Sequence, residues 1–353
     1  MVNSFDGSGS LSLVDLPDPV PGPGQIQIAV RASGVGHTDI ASRRGEFARF
    51  PEPGFVPGTE AAGVVTATGD GVDDAWLGRR VFAVLPDGGG YAELITVRTD
   101  AAIAELPDQV TESEAVALGG NALTALFLLE RAQAAAGESV LVRGAGGGVG
   151  LMATQVGAYF GAVVTAVTSS VARGERLLGL GASTVLNRTL GEDRAPVEGA
   201  TGTAGATGAT YGTGATYGTG VMSGTGTTSG TGATYDIVVD PVCGPDLARH
   251  IGQLRPNGRY VLCGAAGGMP GPDFASGLRG RFYESPSLLM LSMRSLGPER
   301  MRSGLKAIFD LAARGALHGV VDEELSLGDA SRAHDKLESG AVFGKLVLTP
   351  ARF

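Results

Sequence analysis

The sequence predicts an α/β protein: a doubly wound parallel sheet joined to a second, mostly-β domain. Three observations carry that prediction. A glycine-rich turn lies between a β-branched run and a helical pattern, strands and helices alternate after it, and an N-terminal third full of Pro and Gly lacks that rhythm.

The glycine turn is the strongest of the three. Val140-Leu141-Val142 leads into Gly144-Ala145-Gly146-Gly147-Gly148-Val149-Gly150, Leu151 to Phe160 has helical spacing, and Val163 to Val167 is a second apolar run. A strand, tight turn, helix and strand in about 30 residues make one βαβ unit. Such a turn lets the backbone approach a pyrophosphate and aims a helix N-terminus at it. Downstream, Arg173 to Gly179 reads as a helix, Thr184 to Leu186 as a short strand and Asp236 to Asp240 as a buried strand. Asp246 to Leu254 reads as a helix, Arg259 to Cys263 as a strand ended by Gly264, and Ser287 to Met293 as a sixth, edge strand. Six parallel strands with helical crossovers are what a Rossmann-type domain needs.

Before the turn, Ile26 to Val30, Gly63 to Val65 and Arg80 to Val84 are short β-like runs among punctuators such as Pro17, Pro19, Pro21, Pro23, Pro51, Pro53 and Pro57. Glu112 to Gln133 is Ala- and Leu-rich with helical spacing and carries the chain between domains. After the sixth strand come a helix from Glu299 to Arg314 and a closing strand from Gly344 to Leu348. The expected domains are therefore 1–118, completed by 294–353, and 119–293. One segment fits neither. Residues 199–234 are uncharged and almost entirely Gly, Thr, Ala, Ser and Tyr, with Gly-Ala-Thr-Tyr at 208–211, 214–217 and 232–235. It reads as a flexible surface excursion grown by tandem duplication, with a β-like flap or self-association surface as the alternative.

Composition narrows the class. At 353 residues with 43% hydrophobic and 18% charged content, the chain can hold two cored domains. A net charge of −9 without dense basic runs excludes general affinity for nucleic acid or anionic membrane. The opening Met1-Val2-Asn3-Ser4-Phe5-Asp6 shows no secretory pattern, and no apolar run reaches transmembrane length. The two cysteines, Cys243 and Cys263, sit in strand-like apolar segments and read as reduced buried thiols of a cytoplasmic protein.

Several motifs together resemble the medium-chain dehydrogenase/reductase superfamily, in its zinc-free quinone oxidoreductase branch. They are Pro57-Gly58-Thr59-Glu60-Ala61-Ala62-Gly63, Gly89-Gly90-Tyr91-Ala92-Glu93, Ala122-Leu123-Thr124-Ala125, the Ala145, Gly147, Gly150 pattern of the turn, and Gly340 to Leu348. The resemblance covers nearly everything outside the repeat. It implies a GroES-like first domain and a nicotinamide cofactor lying between that domain and the Rossmann domain. It also implies cofactor contacts from Thr124, Gly264 and Lys345, and a homodimer formed through Ser287 to Met293.

Zinc-dependent relatives begin their site with Cys-His-Thr-Asp and add Gly-His-Glu, whereas this chain has Gly36-His37-Thr38-Asp39 and Gly58-Thr59-Glu60. Two expected ligands are replaced by Gly36 and Thr59, too few donors remain for tetrahedral zinc, and no metal is expected. The cofactor is read from the end of the second strand, where an NAD site places an acid. Here Val167-Thr168-Ser169-Ser170-Val171-Ala172-Arg173 has hydroxyls and an arginine but no carboxylate. That set suits a 2′-phosphate, so NADPH is expected on Ala145, Gly146, Gly147, Gly148, Val149, Gly150, Ser169, Ser170 and Arg173, with Arg176 and Arg188 in reserve.

Reduction without a Lewis acid needs a positioned hydride donor and protons from hydrogen bonds or water. The positions that carry Asn or Tyr in related reductases are Gly36 and Phe47 here. The catalytic candidates left are His37, as cofactor contact or acid, Thr38 as a proton relay, and Tyr91; Asp39 reads as a buried acceptor holding the site loop. A quinone, whose reduced form takes protons from water, asks least of these groups. The expected activity is NADPH-dependent reduction of a quinone or an enone-type C=C in a small molecule. The alternatives are a biosynthetic enoyl or carbonyl reductase or cyclase of the same fold, and an NADPH-binding protein with little turnover.

Overall fold

The computed structural model describes residues 1–46, 50, 52–188 and 233–351. The tandem repeat, up to residue 232, lies outside them. The chain begins with β1 (Gln25–Val35), α1 (His37–Arg43), β2 (Glu60–Thr68), β3 (Arg80–Val84), β4 (Leu94–Arg98), β5 (Ile103–Glu105) and the long α2 (Glu112–Arg131). Alternating apolar residues explain these strands: Ile26, Ile28, Val30, Val65, Val81, Ile95, Val97 and Ile103 meet in one core. The β1–β2 pairing depends on a glycine, because a Cβ on Gly63 would lie 2.0 Å from the Ala29 carbonyl oxygen. Helix α2 runs unbroken through the expected 118/119 boundary and is apolar on several sides, burying Val116, Leu118, Leu123, Leu128 and Leu129.

Next come β6 (Ser139–Val142), α3 (Gly148–Tyr159), β7 (Val163–Thr168), α4 (Val171–Gly179) and β8 (Thr184–Asn187). They are followed by β9 (Tyr235–Asp240), α5 (Leu247–Ile251), β10 (Leu254–Leu262), α6 (Ser276–Arg279) and β11 (Ser287–Met290). These six strands form one sheet in the order β11-β10-β9-β6-β7-β8, every pair parallel. From β6 the chain steps through β7 to β8 and then restarts at β9 on the opposite side. The switch point of the winding therefore lies between β6 and β9, where a doubly wound sheet opens a crevice at its carboxyl ends. One expectation is corrected. The helix expected to reach Leu254 stops at Ile251, and Leu254 opens β10 opposite Tyr235. Leu254 is fully buried in the strand layer, and Asn257, with φ +61°, lets the Pro256-Asn257-Gly258 stretch absorb a bulge before Arg259.

The chain closes with α7 (Pro298–Ala313), β12 (Val321–Ser326), α8 (Ala330–Glu338) and β13 (Lys345–Thr349). The second sheet runs β12-β13-β1-β2-β3-β5, with β4 also on β1. Its last-made strand is thus internal, paired with β1 on one side and β12 on the other. Contacts group the chain into two compact units: residues 1–124, 147–152 and 292–353, and residues 125–146 and 153–291. No helix among the described residues is long and apolar enough to cross a membrane.

Candidate functional site

In the parallel-sheet unit the candidate residues collect at the carboxyl ends of β6, β7 and β10. Gly144 takes φ +58°, and a Cβ there would meet Val242 Cγ2 at 2.6 Å. Ala145 is fully buried and its N–H donates to the Val167 carbonyl at 3.1 Å, fixing the turn against the end of β7. A Cβ on Gly264, beyond the end of β10, would lie 2.7 Å from the Pro241 oxygen, so this strand end also needs a glycine. Beneath the turn is a charged cluster that the motifs did not announce. Asp240 is fully buried; it accepts from Arg143 Nη1 at 2.6 Å, from the Tyr260 hydroxyl at 2.5 Å, and from the N–H groups of Val242 and Cys243 at 2.8 and 3.0 Å. It fixes the ends of β6, β9 and β10 to one another.

The end of β7 gathers the expected phosphate corner. Thr168 is buried with no partner on its Oγ1, Ser169 and Ser170 are half-buried, and Ser170 Oγ caps α4 by accepting the Arg173 N–H at 3.2 Å. Arg173 stands in the first turn of α4. Exposed Arg188 follows β8, whose Asn187 pairs with Thr168, while Arg176 is exposed further along α4. The end of β7 thus gathers an orphaned buried hydroxyl, half-buried serines and the half-buried Arg173, with no acid between Val167 and Arg173.

The rest of the turn packs with the mostly-β unit. Gly147 is exposed and forms an isolated parallel bridge with Gly344; Gly148 opens α3, where a Cβ would fall 2.4 Å from Asn121 Nδ2. Val149 is half-buried and Gly146 and Gly150 are buried. The first N–H groups of a twelve-residue helix thus follow backbone without side chains, the arrangement a pyrophosphate uses. The Thr124 hydroxyl donates to the Gly120 carbonyl at 2.7 Å within α2.

The second constellation is a corner of the mostly-β unit, where α1 starts. His37 and Thr38 are exposed on its first turn. Asp39 is buried beneath them: Oδ2 accepts the Gly36 N–H at 2.8 Å, and Oδ1 accepts those of Gly58 and Thr59 at 3.2 and 3.1 Å. This is the loop-holding acceptor that the sequence suggested. Burial pushes the Asp39 carboxyl up to about 6 against the opposing pull of Lys345 and the backbone donors. The His37 pKa is lowered, first by desolvation, then by the charges of Lys345 and Arg44.

Two expected residues are turned inward. Tyr91, a catalytic candidate, is buried with its hydroxyl 3.1 Å from His334 Nε2, and burial raises its pKa well above the ordinary value. Its polar end is committed to the interior, the place of a positioning group rather than of an acid that meets substrate. Lys345, expected on the cofactor, has a side chain only 8% exposed and ion-paired to Glu60 Oε1, while Glu60 Oε2 accepts the Gly120 N–H at 3.1 Å. The sequence reading missed Glu60, His334 and Arg43. His334 is held neutral by burial, then by Arg43, which together push its pKa down to about 3. Arg43 is 1% exposed and ion-paired to Glu338. The donor set does not suit zinc. Gly36 and Thr59 stand at two ligand positions, Lys345 brings a positive charge, and no group of three or more His, Cys, Asp or Glu among the described residues could hold a metal ion.

Comparison with known proteins agrees with this organisation. The alcohol dehydrogenase GroES-like domain family matches residues 22–108, and a family described as zinc-binding dehydrogenase matches residues 216–348. Quinone oxidoreductase of Rattus norvegicus is 27% identical over 350 residues, covering 98% of this chain and 96% of the relative. This chain belongs to the medium-chain dehydrogenase/reductase superfamily, in its quinone oxidoreductase-like branch. The synaptic vesicle membrane protein VAT-1 homolog of Rattus norvegicus is 33% identical over 275 residues, which span 77% of this chain and 60% of that longer relative. A mycobacterial structure complexed with NADPH superposes with a TM-score of 0.80 at 28% identity, covering 99% of this chain and 98% of that one. As a medium-chain reductase the protein is an oxidoreductase with a GroES-like domain and an NAD(P)-binding Rossmann domain.

Proposed function

We propose that this chain is an NADPH-dependent, metal-independent reductase of quinones or enones. The observation that carries the reading is the acid-free corner at the end of β7, where Thr168, Ser169, Ser170 and Arg173 replace the carboxylate that an NAD site uses for its ribose. A 2′-phosphate takes hydroxyl and guanidinium donors; a carboxylate would repel it. The relatives named quinone oxidoreductase and the mycobacterial neighbour's NADPH support the same choice. Bound there, NADPH supplies a hydride.

The chain's own part is to bind and to orient. Gly147, Gly148, Val149 and Gly150 offer backbone N–H groups to the pyrophosphate, and Ser169, Ser170 and Arg173 hold the 2′-phosphate, with Arg188 beside them. His37 and Thr38 are the exposed side chains of the α1 turn, so a cofactor contact or a proton relay falls to them, while Asp39 fixes their loop. A quinone draws its protons from water. Purified protein with NADPH is to be assayed against quinones, enones and aldehydes. Turnover of the first two classes is expected, and tight cofactor binding with no turnover in the whole panel would instead leave an NADPH-binding protein.

Assembly and location belong to the same proposal. Among the described residues β11 is an edge strand with no partner on its outer side, and Met290, at its end, is exposed. A second copy pairing there makes a homodimer and removes an aggregation-prone edge. Analytical ultracentrifugation showing only monomer at micromolar concentration would sink that part. Two free cysteines, Cys243 buried and Cys263 half-buried, fit a reducing cytoplasm.

A further inference from the structure

The α1 corner holds a buried lysine whose ammonium is turned inward. Lys345 is the first residue of β13, and the register Val35↔Leu346 sets it opposite Gly36 at the end of β1. Its side chain lies across β1 to reach Glu60 at the start of β2. Gly34 makes that crossing possible: a Cβ there would sit 2.3 Å from Glu60 Oε1 and 2.5 Å from Lys345 Cε. Gly120 supplies both an N–H to Glu60 Oε2 and the space beside it, since its own Cβ would come within 2.7 Å of that oxygen. A lysine held in this way is not a loose surface charge. Its head is fixed by a carboxylate that is itself anchored by backbone.

The ammonium is fixed at a telling place. A Cβ on Gly36 would lie 3.7 Å from Lys345 Nζ and 3.5 Å from Asp39 Oδ2, in ordinary contact with both, so the bare backbone of Gly36 borders the positive charge directly. Gly36 is where zinc-dependent relatives carry a metal ligand, and exposed His37 and Thr38 follow it directly. We propose that Lys345, clamped by Glu60, is the resident cation of this site and stabilises the negative charge that forms on the substrate's carbonyl oxygen. The proposal rests on the reading of the chain as a metal-independent reductase of conjugated carbonyls. Hydride forms a C–H bond at the β-carbon, the C=C π bond breaks, and its electron pair moves onto the carbonyl oxygen. The nicotinamide is oxidised and the α-carbon then takes a proton from water. Lys345 keeps its own proton throughout and acts by charge and hydrogen bonding, as preorganised oxyanion donors do. Glu60 is a positioning residue.

Two readouts test this, one of them independent of turnover. A phenol that ionises in the site places an anionic oxygen on a planar conjugated ring, so 4-nitrophenol reports the charge through its phenolate absorbance. Wild-type protein with NADP⁺ is expected to lower the pKa of the bound phenol by about 1 or more, as an adjacent cation does. The paired variant Lys345→Met/Glu60→Gln removes both charges at nearly constant volume, so no buried charge is orphaned and folding is checked by thermal melting. It should abolish the phenol shift and lower kcat for cyclohexenone by roughly 100-fold, with the NADPH Kd moving less than about threefold. Lys345→Arg should restore part of both. An unshifted phenol in wild type, or a loss confined to NADPH affinity, overturns the proposal, the second result making Lys345 a phosphate contact. A Lys345-dependent phenol shift in a protein that reduces no enone or quinone would keep the resident cation and reject the substrate reading.

Discussion

The corner at the end of β7, proposed for the 2′-phosphate, and the α1 corner of the mostly-β unit are built to hold charge by opposite means. The first works with backbone: a turn of glycines, a helix N-terminus, and hydroxyls at a strand end. The second works with long side chains laid inward, Lys345 on Glu60, Tyr91 on His334 and Arg43 on Glu338. Backbone sites tolerate little addition, because Gly144, Gly148 and Gly264 each mark a contact that a Cβ would violate. Side-chain networks tolerate little subtraction, because each lost partner leaves a polar group in a dry interior.

The largest effect should come from adding to the second corner. Gly34→Ala would put a methyl group within 2.3 Å of Glu60 Oε1 and force the Lys345 pair apart. It should cost about 3 kcal/mol, the lower end of what breaking a buried ion pair costs, read as a lowered midpoint in urea. An unchanged midpoint would mean that the pair reseats itself freely.

Subtraction at the phosphate corner should be felt in binding instead. Arg173→Ala is expected to weaken NADPH by roughly ten- to a hundredfold, the worth of one charge-assisted hydrogen bond, while NADH moves little. Equal weakening of both cofactors, measured by nicotinamide fluorescence, would remove Arg173 from the 2′-phosphate.

His334 adds a pH test. Its folded pKa of about 3 lies below the ordinary value of 6.5. For a group depressed in this way, the folded state is penalised as pH falls below 6.5 and the unfolded chain takes up the proton first. The loss grows until about pH 3 and amounts to about 2 kcal/mol at pH 5. His334→Gln should flatten that slope between pH 7 and 5, and parallel slopes for the two proteins would show that the imidazole plays no part. The smallest effect is Ser170→Ala, which removes the cap of α4 and should cost about 1 kcal/mol.

The same contrast explains what could be read from the sequence. The six parallel strands, the turn and the Ser169-Ser170-Arg173 corner are written in consecutive residues, where spacing alone carries the information. Asp39 was legible as well, because its partners Gly36, Gly58 and Thr59 lie in two short motifs. Lys345 and Glu60 come from nearly opposite ends of the chain, and neither side chain announces the other. Arg43 looks like one half of a solvated Arg43-Arg44 pair until α8 brings Glu338 to both guanidinium groups. The one available signal was Gly34 and Gly36 flanking Val35 at a strand end, since glycines in a strand mark a close approach by something else. The helix expected through Leu254 failed for a related reason: Leu254 is claimed by a strand partner, Tyr235, that lies outside any local window.

The internal position of β13 also orders events in time. On a ribosome β1 is made before the whole parallel sheet, yet one of its sheet neighbours, Lys345–Thr349, is made after it. The parallel-sheet unit can close while synthesis continues, but the sheet around β1 must wait with an open seam until β13 emerges. Lys345 arrives with that final strand. The cation is therefore installed only after the parallel sheet has been made, and a nascent chain carries the dinucleotide turn before it carries the charge beside α1.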